Sequence, residues 1–287
     1  MHPELPLALH LGPRPNIIPV AENQDFATVL LSASHAGDAQ LTTDLLQECH
    51  RALRPRGKLI AAIDNSRDRW LHDRIVRLFG AATLERNRRG SLYISRKTTA
   101  KPRYRNLRRS FTACLFGKEI TLDSIPGVFS HGELDEGTLA LAETIAVDPG
   151  DTVLDLGCGV GAIGIAAAAA SGTGYALLVD SSTRAVETAQ QNIRNNGVSN
   201  ATALLACDLA AVRPASFNVV LTNPPYYSDY RISAQFIREG QAALRQGGLF
   251  ALVTKSPEPH AALLLKAFRK VDQVERRGYT VFMTTRS

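Results

Sequence analysis

The sequence is poor in the residues that build metal and disulfide frameworks. Cys49, Cys114, Cys158 and Cys207 are spread along 287 residues with no close pair and no histidine at ligand spacing. That excludes a zinc-ribbon pattern and a disulfide scaffold. The four read as reduced, buried thiols, and no metal is expected. No run of about 18 apolar residues occurs, so no membrane-spanning helix is expected. Met1-His2-Pro3-Glu4 lacks a basic patch followed by an apolar stretch, and no secretory signal is read there. A cytoplasmic location is the resulting expectation.

Acid is missing where base is dense. Arg86 to Arg109 contains ten lysines and arginines and no aspartate or glutamate. Residues 1–110 hold 19 basic against 10 acidic residues, whereas 111–287 hold 14 against 17. The net charge of +6 therefore belongs to the first part. Such asymmetry suggests an acidic partner, most simply a nucleic acid. Tyr93 and Tyr104 within the run strengthen that reading. A solvated basic face is the plainer alternative.

With 45% hydrophobic and 21% charged residues the chain has a globular balance. Apolar, β-branched runs predict strands at Ala27–Ala33 and Lys58–Ile63, with helices at Asp44–Leu53 and Arg69–Phe79. Two strands near 82–87 and 91–96 flank Arg89-Gly90. Lys101 to Arg105 reads as a linker, giving domains 1–104 and 105–287. Beyond it come a hairpin (111–116 and 119–122) and a helix (135–146). Strands and helices then alternate from Thr152 to Phe268, and two strands near 271–276 and 279–285 close the chain. This alternation predicts an α/β fold with a mostly parallel sheet and helices on both faces. Segment 27–96 echoes 217–285 in element order, which suggests a duplicated domain whose first copy has lost its front half.

Val153-Leu-Asp155-Leu-Gly157-Cys158-Gly159-Val-Gly161 is a strand entering a glycine loop and an alanine-rich helix. Glycines let such a loop turn tightly and approach a ligand. Dinucleotide enzymes use a similar loop, so the acids matter more. Asp155, Asp180 and Asp208 are expected to end successive strands on one rim of the sheet, where a nucleoside cofactor binds. Asp180 could instead cap the next helix with Ser181 and Ser182.

Asn223-Pro224-Pro225-Tyr226 follows another strand and is placed on the same rim. Two prolines stiffen the loop, and Pro224 pushes Asn223 toward extended backbone. The Asn223 oxygen and the Pro224 carbonyl can accept N–H bonds from an amine whose lone pair is delocalised. Tyr226 can stack on its ring. The bland alternative is a turn that merely ends the strand.

The Asp155–Gly161 motif resembles the first motif of class I S-adenosylmethionine-dependent methyltransferases. That resemblance implies a Rossmann-like, seven-stranded, mostly parallel sheet. It also implies a cofactor set of Asp155, Gly157, Cys158, Gly159 and Gly161 at the methionine end, Asp180 with Ser181 at the ribose, and Asp208 with Leu209 at the adenine. Asn223 to Tyr226 resembles the signature of enzymes methylating planar nitrogens, with Asn223 also facing the cofactor. The stretch Pro126-Gly127-Val128-Phe129-Ser130 through Leu134-Asp135-Glu136-Gly137-Thr138 resembles the bacterial guanine-N2 methyltransferases that modify the ribosomal RNA of the small and large subunits. There it implies that Phe129 and Thr138 cover the cofactor.

Asp64 to Arg67 and Arg88 to Tyr93 resemble the later part of that family's N-terminal domain, a degenerate copy without a cofactor site. Only about 25 residues precede its first strand here, so it is expected to be truncated. With the resemblance, the basic run Arg86–Arg109 is expected to grip ribosomal RNA or the ribosomal subunit; a monomer without a membrane partner is also expected. Tyr226 stands where this family commonly has phenylalanine. Adenine N6, glutamine N5 of a protein, and an RNA-binding module without catalysis remain alternatives.

Overall fold

The computed structural model describes residues 26–98, 102–225 and 230–287. These fall into two compact units that meet in sequence at Arg108 and Arg109.

The first unit runs β1 (Phe26–Ala33), α1 (Ala39–Ala52), β2 (Leu53–Ile63), α2 (Trp70–Phe79), β3 (Thr83–Asn87) and β4 (Gly90–Arg96). Its sheet has the order β1-β2-β4-β3. Helix α1 begins five residues before the expected Asp44, because Asp38 caps it by accepting the Gln40 and Leu41 N–H groups. The first turn, Ala39 to Thr43, carries little apolar periodicity and so escaped the pattern. The described part of the expected linker, 102–105, belongs to this unit at its C-terminal end. Gln47 exchanges hydrogen bonds with the Arg105 backbone, and the Tyr104 hydroxyl meets His50 Nδ1 at 2.9 Å.

The second unit opens with a hairpin, β5 (Arg109–Leu115) and β6 (Lys118–Ser124), followed by α3 (Glu136–Thr144). Then come β7 (Thr152–Leu156), α4 (Ala162–Ser171), β8 (Tyr175–Asp180), α5 (Thr183–Asn195) and β9 (Ala201–Leu205). The chain continues through β10 (Phe217–Thr222), α6 (Arg231–Ala243), β11 (Leu244–Thr254) and α7 (Pro257–Ala267). It ends in β12 (Asp272–Arg276) and β13 (Tyr279–Thr285). The seven strands lie in the order β12-β13-β11-β10-β7-β8-β9, and only β13 runs against the others, antiparallel to both β11 and β12.

Alternate strand residues feed two cores, as the two-residue period demands. Val153, Leu221 and Ala251 join α3, α4 and α5 on one face; Leu154, Val220 and Phe250 join α6 and α7 on the other. Ala166, Ala167 and Ala168 are fully buried, so α4 approaches the sheet closely. Among the described residues no helix is long and apolar enough to cross a membrane, and no cluster could hold a metal ion. The thiols divide: Cys49 and Cys158 are buried as expected, but Cys114 and Cys207 are exposed.

Candidate active site

The site forms where β7 and β10 lie side by side. Thr222 pairs with Leu156, and its hydroxyl donates to the Leu156 carbonyl at 2.9 Å. The next residues are Asn223 and Gly157, so the two motifs emerge from adjacent strand ends. This is the point where the strand order reverses, the usual ligand crevice of an open α/β sheet.

The glycine loop is held from below. Gly157, Gly159 and Gly161 all take positive φ, and the Gly157 and Cys158 N–H groups donate to the Val179 carbonyl. Asp155 is buried and accepts the Gly164 N–H at 3.0 Å. A Cβ at Gly164 would lie 2.5 Å from Leu178 Cγ and 2.9 Å from that carboxylate, so the approach requires glycine. Burial pushes the Asp155 carboxyl up to about 7, with Asp180 adding a like charge. Asp180 spans the loop and the next helix, accepting the Gly159 N–H at 3.0 Å and the Ser182 N–H at 2.8 Å. Its carboxyl is also raised by burial, against the pull of those N–H groups. Ser182, not Asp180, caps α5 with its side chain. Burial likewise raises the Cys158 thiol, which is inert in that state.

Asp208 departs from its expected place. Strand β9 stops at Leu205, and Asp208 is exposed in the turn beyond, accepting the Ala210 N–H at 3.0 Å. Leu209 packs against the core behind it.

The segment from Asp123 to Thr138 is tied to α5 and the glycine loop. Fully buried Asn192 donates to the carbonyls of Asp123 and Val160, both at 2.9 Å, and Arg184 Nε donates to the Pro126 carbonyl. Phe129 remains half exposed against Gly159, whose added Cβ would sit 3.4 Å from Phe129 Cβ. His131 Nδ1 meets the Ser124 hydroxyl at 3.0 Å, a contact within the segment.

Asn223 is partly buried and Pro224 buried; Tyr226 lies outside the described residues. Asn223 Nδ2 donates to Asp135 Oδ2 at 2.8 Å and to Thr138 Oγ1 at 3.3 Å. Thr138 therefore sits beside the amide of the proline loop. Asn223 Oδ1 is buried and has no hydrogen-bond partner among the described residues. Nearby is a cleft of about 430 Å³ lined by Phe129, Glu133, Asp135, Lys255, Arg277 and Tyr279. Sequence reasoning gave no role to Asp135, Arg184, Asn192, Lys255 or Tyr279. For Asp135 a signal existed, its place in the Leu-Asp-x-Gly stretch.

A sequence profile of the methyltransferase small domain matches residues 119–283, which contain both loops. The chain belongs to that family. The family's class I sheet is the seven-stranded sheet described above. Among curated relatives, the ribosomal RNA small subunit methyltransferase C of Pseudomonas entomophila is 30% identical over 192 residues, 65% of this chain and 57% of the relative. Its namesake in Haemophilus influenzae is 30% identical over 165 residues, 56% and 49% of the two chains. The chain thus spans about half the length of these relatives. Among solved structures, the T. thermophilus 16S rRNA N2 methyltransferase RsmC, in complex with AdoMet and guanosine, superposes with a TM-score of 0.79 at 27% identity. That match covers 92% of this chain and 74% of the other.

The first unit corrects part of the basic-run reading. Tyr93 is fully buried with its hydroxyl on Asp68 at 2.7 Å, so it offers no ring to a base. Lys97 donates to the Arg51 and Leu53 carbonyls at the end of α1. Arg86, Arg88, Arg89, Arg103, Arg105 and Arg108 are exposed.

Proposed function

We propose that this protein transfers a methyl group from S-adenosylmethionine to the exocyclic N2 amine of a guanosine in ribosomal RNA. The carrying observation is the buried, unpartnered Oδ1 of Asn223 one strand away from the glycine loop. Names of relatives at 30% identity, and of a solved neighbour holding AdoMet and guanosine, support the acceptor.

The loop fits the cofactor. Three positive-φ glycines present backbone without Cβ atoms, and Asp180 ends β8 with lone pairs to spare for ribose hydroxyls. Gly157 to Gly161 and Asp155 would hold the methionine end, Asp180 and Ser181 the ribose, Leu209 and Asp208 the adenine, and Phe129 would cover the loop. S-adenosylmethionine supplies an electrophilic methyl group on a sulfonium. The chain supplies alignment. Asn223 Oδ1 and the Pro224 carbonyl accept the two N–H bonds of the amine and turn its lone pair toward the donor. Pro224 and Pro225 keep that pair of acceptors rigid. Tyr226 stacks on the base.

The exposed arginines of the segment Arg86 to Arg109 grip phosphates in this reading, and a cytoplasmic location goes with a ribosomal RNA substrate. Incubation of the protein with labelled S-adenosylmethionine and rRNA, tRNA, DNA or release-factor protein tests it. Label in N2-methylguanosine of rRNA is expected. Label in adenine or protein glutamine, with none in rRNA guanine, overturns the acceptor.

A further inference from the structure

The orientation of a side-chain amide is decided by its neighbours, and those of Asn223 are unequal. Nδ2 faces Asp135 Oδ2 at 2.8 Å and Thr138 Oγ1 at 3.3 Å, while Oδ1 points to no described partner. A carboxylate accepts and cannot donate. Turning the amide by half a rotation would therefore set two oxygens against each other. Asp135 is itself held on several sides. Its Oδ2 also accepts the Thr138 N–H at 3.1 Å as the cap of α3, and its Oδ1 accepts the Tyr279 hydroxyl at 3.3 Å. A Cβ on Gly137 would lie 2.8 Å from both that carboxylate and the Tyr279 ring, so only glycine lets them close. Arg277, in the turn before Tyr279, pairs with Glu136 and Glu143 of α3 at 2.8 and 2.7 Å.

We propose that Asp135, braced by Tyr279 across the missing side chain of Gly137, is the positioning residue that holds the Asn223 oxygen toward the acceptor amine. This rests on reading Asn223 as the contact to the acceptor nitrogen.

Asp135→Asn keeps the shape and the helix cap but can pair with either face of the Asn223 amide. It should lower kcat about 30-fold while KM for the acceptor and Kd for S-adenosylmethionine stay within about threefold. Asn223→Asp restores a fixed acceptor oxygen when combined with Asp135→Asn, and the pair should exceed Asn223→Asp alone by about tenfold. Tyr279→Phe, a gentler variant, should lower kcat about threefold with cofactor affinity unchanged. Unchanged kcat in Asp135→Asn, or parallel loss of kcat and cofactor binding, overturns the proposal. Hydrogen exchange of the Asn223 side-chain NH2, followed by nitrogen-15 NMR without acceptor, gives a readout independent of turnover. It should quicken about tenfold in Asp135→Asn; an unchanged rate overturns the positioning role for any acceptor. Faster exchange in a protein whose wild type leaves rRNA unmethylated would sink the guanine reading alone.

Discussion

In the first unit Phe26 pairs with Leu53 and Thr28 with Lys58; in the second Phe217 pairs with Leu244 and Val219 with Leu249, each 191 positions later. Both pairings carry the same irregularity between their first and second partners. The sheet orders β1-β2-β4-β3 and β10-β11-β13-β12 also agree. Even the turn inside the long strand is shared: Arg56 and Gly247 both take positive φ. Beside them Gly57 and Gly248 face the same close neighbours, a leucine side chain and two carbonyls. One scaffold is therefore built twice, and the chemistry differs at the strand ends. Asn223-Pro224-Pro225 stands in register with Ser32-Ala33-Ser34. Lys255 corresponds to Asp64, which accepts from Ser34 and the His35 N–H and closes its own rim. Tyr279 corresponds to Gly90, which has no side chain to reach across; the outer hairpin meets that rim instead through the Ser91 hydroxyl, which donates to the Asn65 carbonyl at 2.8 Å.

The sharpest break of the comparison is at the loops. Asn223→Ala should lower kcat about 10²–10³-fold with cofactor affinity retained, while Ser32→Ala at the matching position leaves turnover unchanged; kinetics and calorimetry on both variants check this. The cores offer the next largest effect. Phe250 fills space that Gly240 leaves open, a Cβ there lying 2.5 Å from the ring, whereas buried Leu59 and Cys49 stand at the matching positions of the first copy. Gly240→Cys should destabilise by about 2 kcal/mol through overpacking, and adding Phe250→Leu should recover most of it in urea unfolding; additive losses would end the idea of an exchanged volume.

A smaller difference separates the outer hairpins. All five hairpin arginines are exposed, but Arg276 and Arg277 are paired with Glu143 and Glu136, whereas Arg86, Arg88 and Arg89 make no ion pair among the described residues. Reversing those three to glutamate should weaken RNA binding about tenfold or more and reduce the salt slope by about three, with cofactor binding intact. Fluorescence titrations at several salt concentrations measure both. The smallest effect concerns Asp155. Below about pH 7 its carboxyl takes a proton in the cofactor-free protein. A cation bound beside it favours the ionised form, so acidification from pH 7 to 6 should weaken S-adenosylmethionine binding by less than about tenfold. Asp155→Asn should flatten that dependence in calorimetry.

Much of the frame was legible because its signals are local. The buried strands, the glycine loop and the proline loop each occupy a few consecutive residues, and strand alternation places them on one rim. The duplication showed first as an echo of element order. Contacts between distant positions were hidden. Asn223 reaches Asp135 over 88 positions and Tyr279 reaches it over 144, and neither residue type announces such a partner. Burial was also hidden: Tyr93, read as a ring for RNA, serves Asp68 instead. Asp208 was misplaced because β9 ends early and a turn carries the chain on.

Thr222 and Leu156 stand 66 positions apart in the chain yet are hydrogen-bonded neighbours. The strand ends from which the glycine loop and the proline loop leave are therefore one rung of the ladder apart, about 4.8 Å. Lengthening the connections that join those strands would leave this gap untouched. Loops beyond the strand ends can change in length and sequence while the spacing at which the two motifs leave the sheet is inherited from the ladder itself.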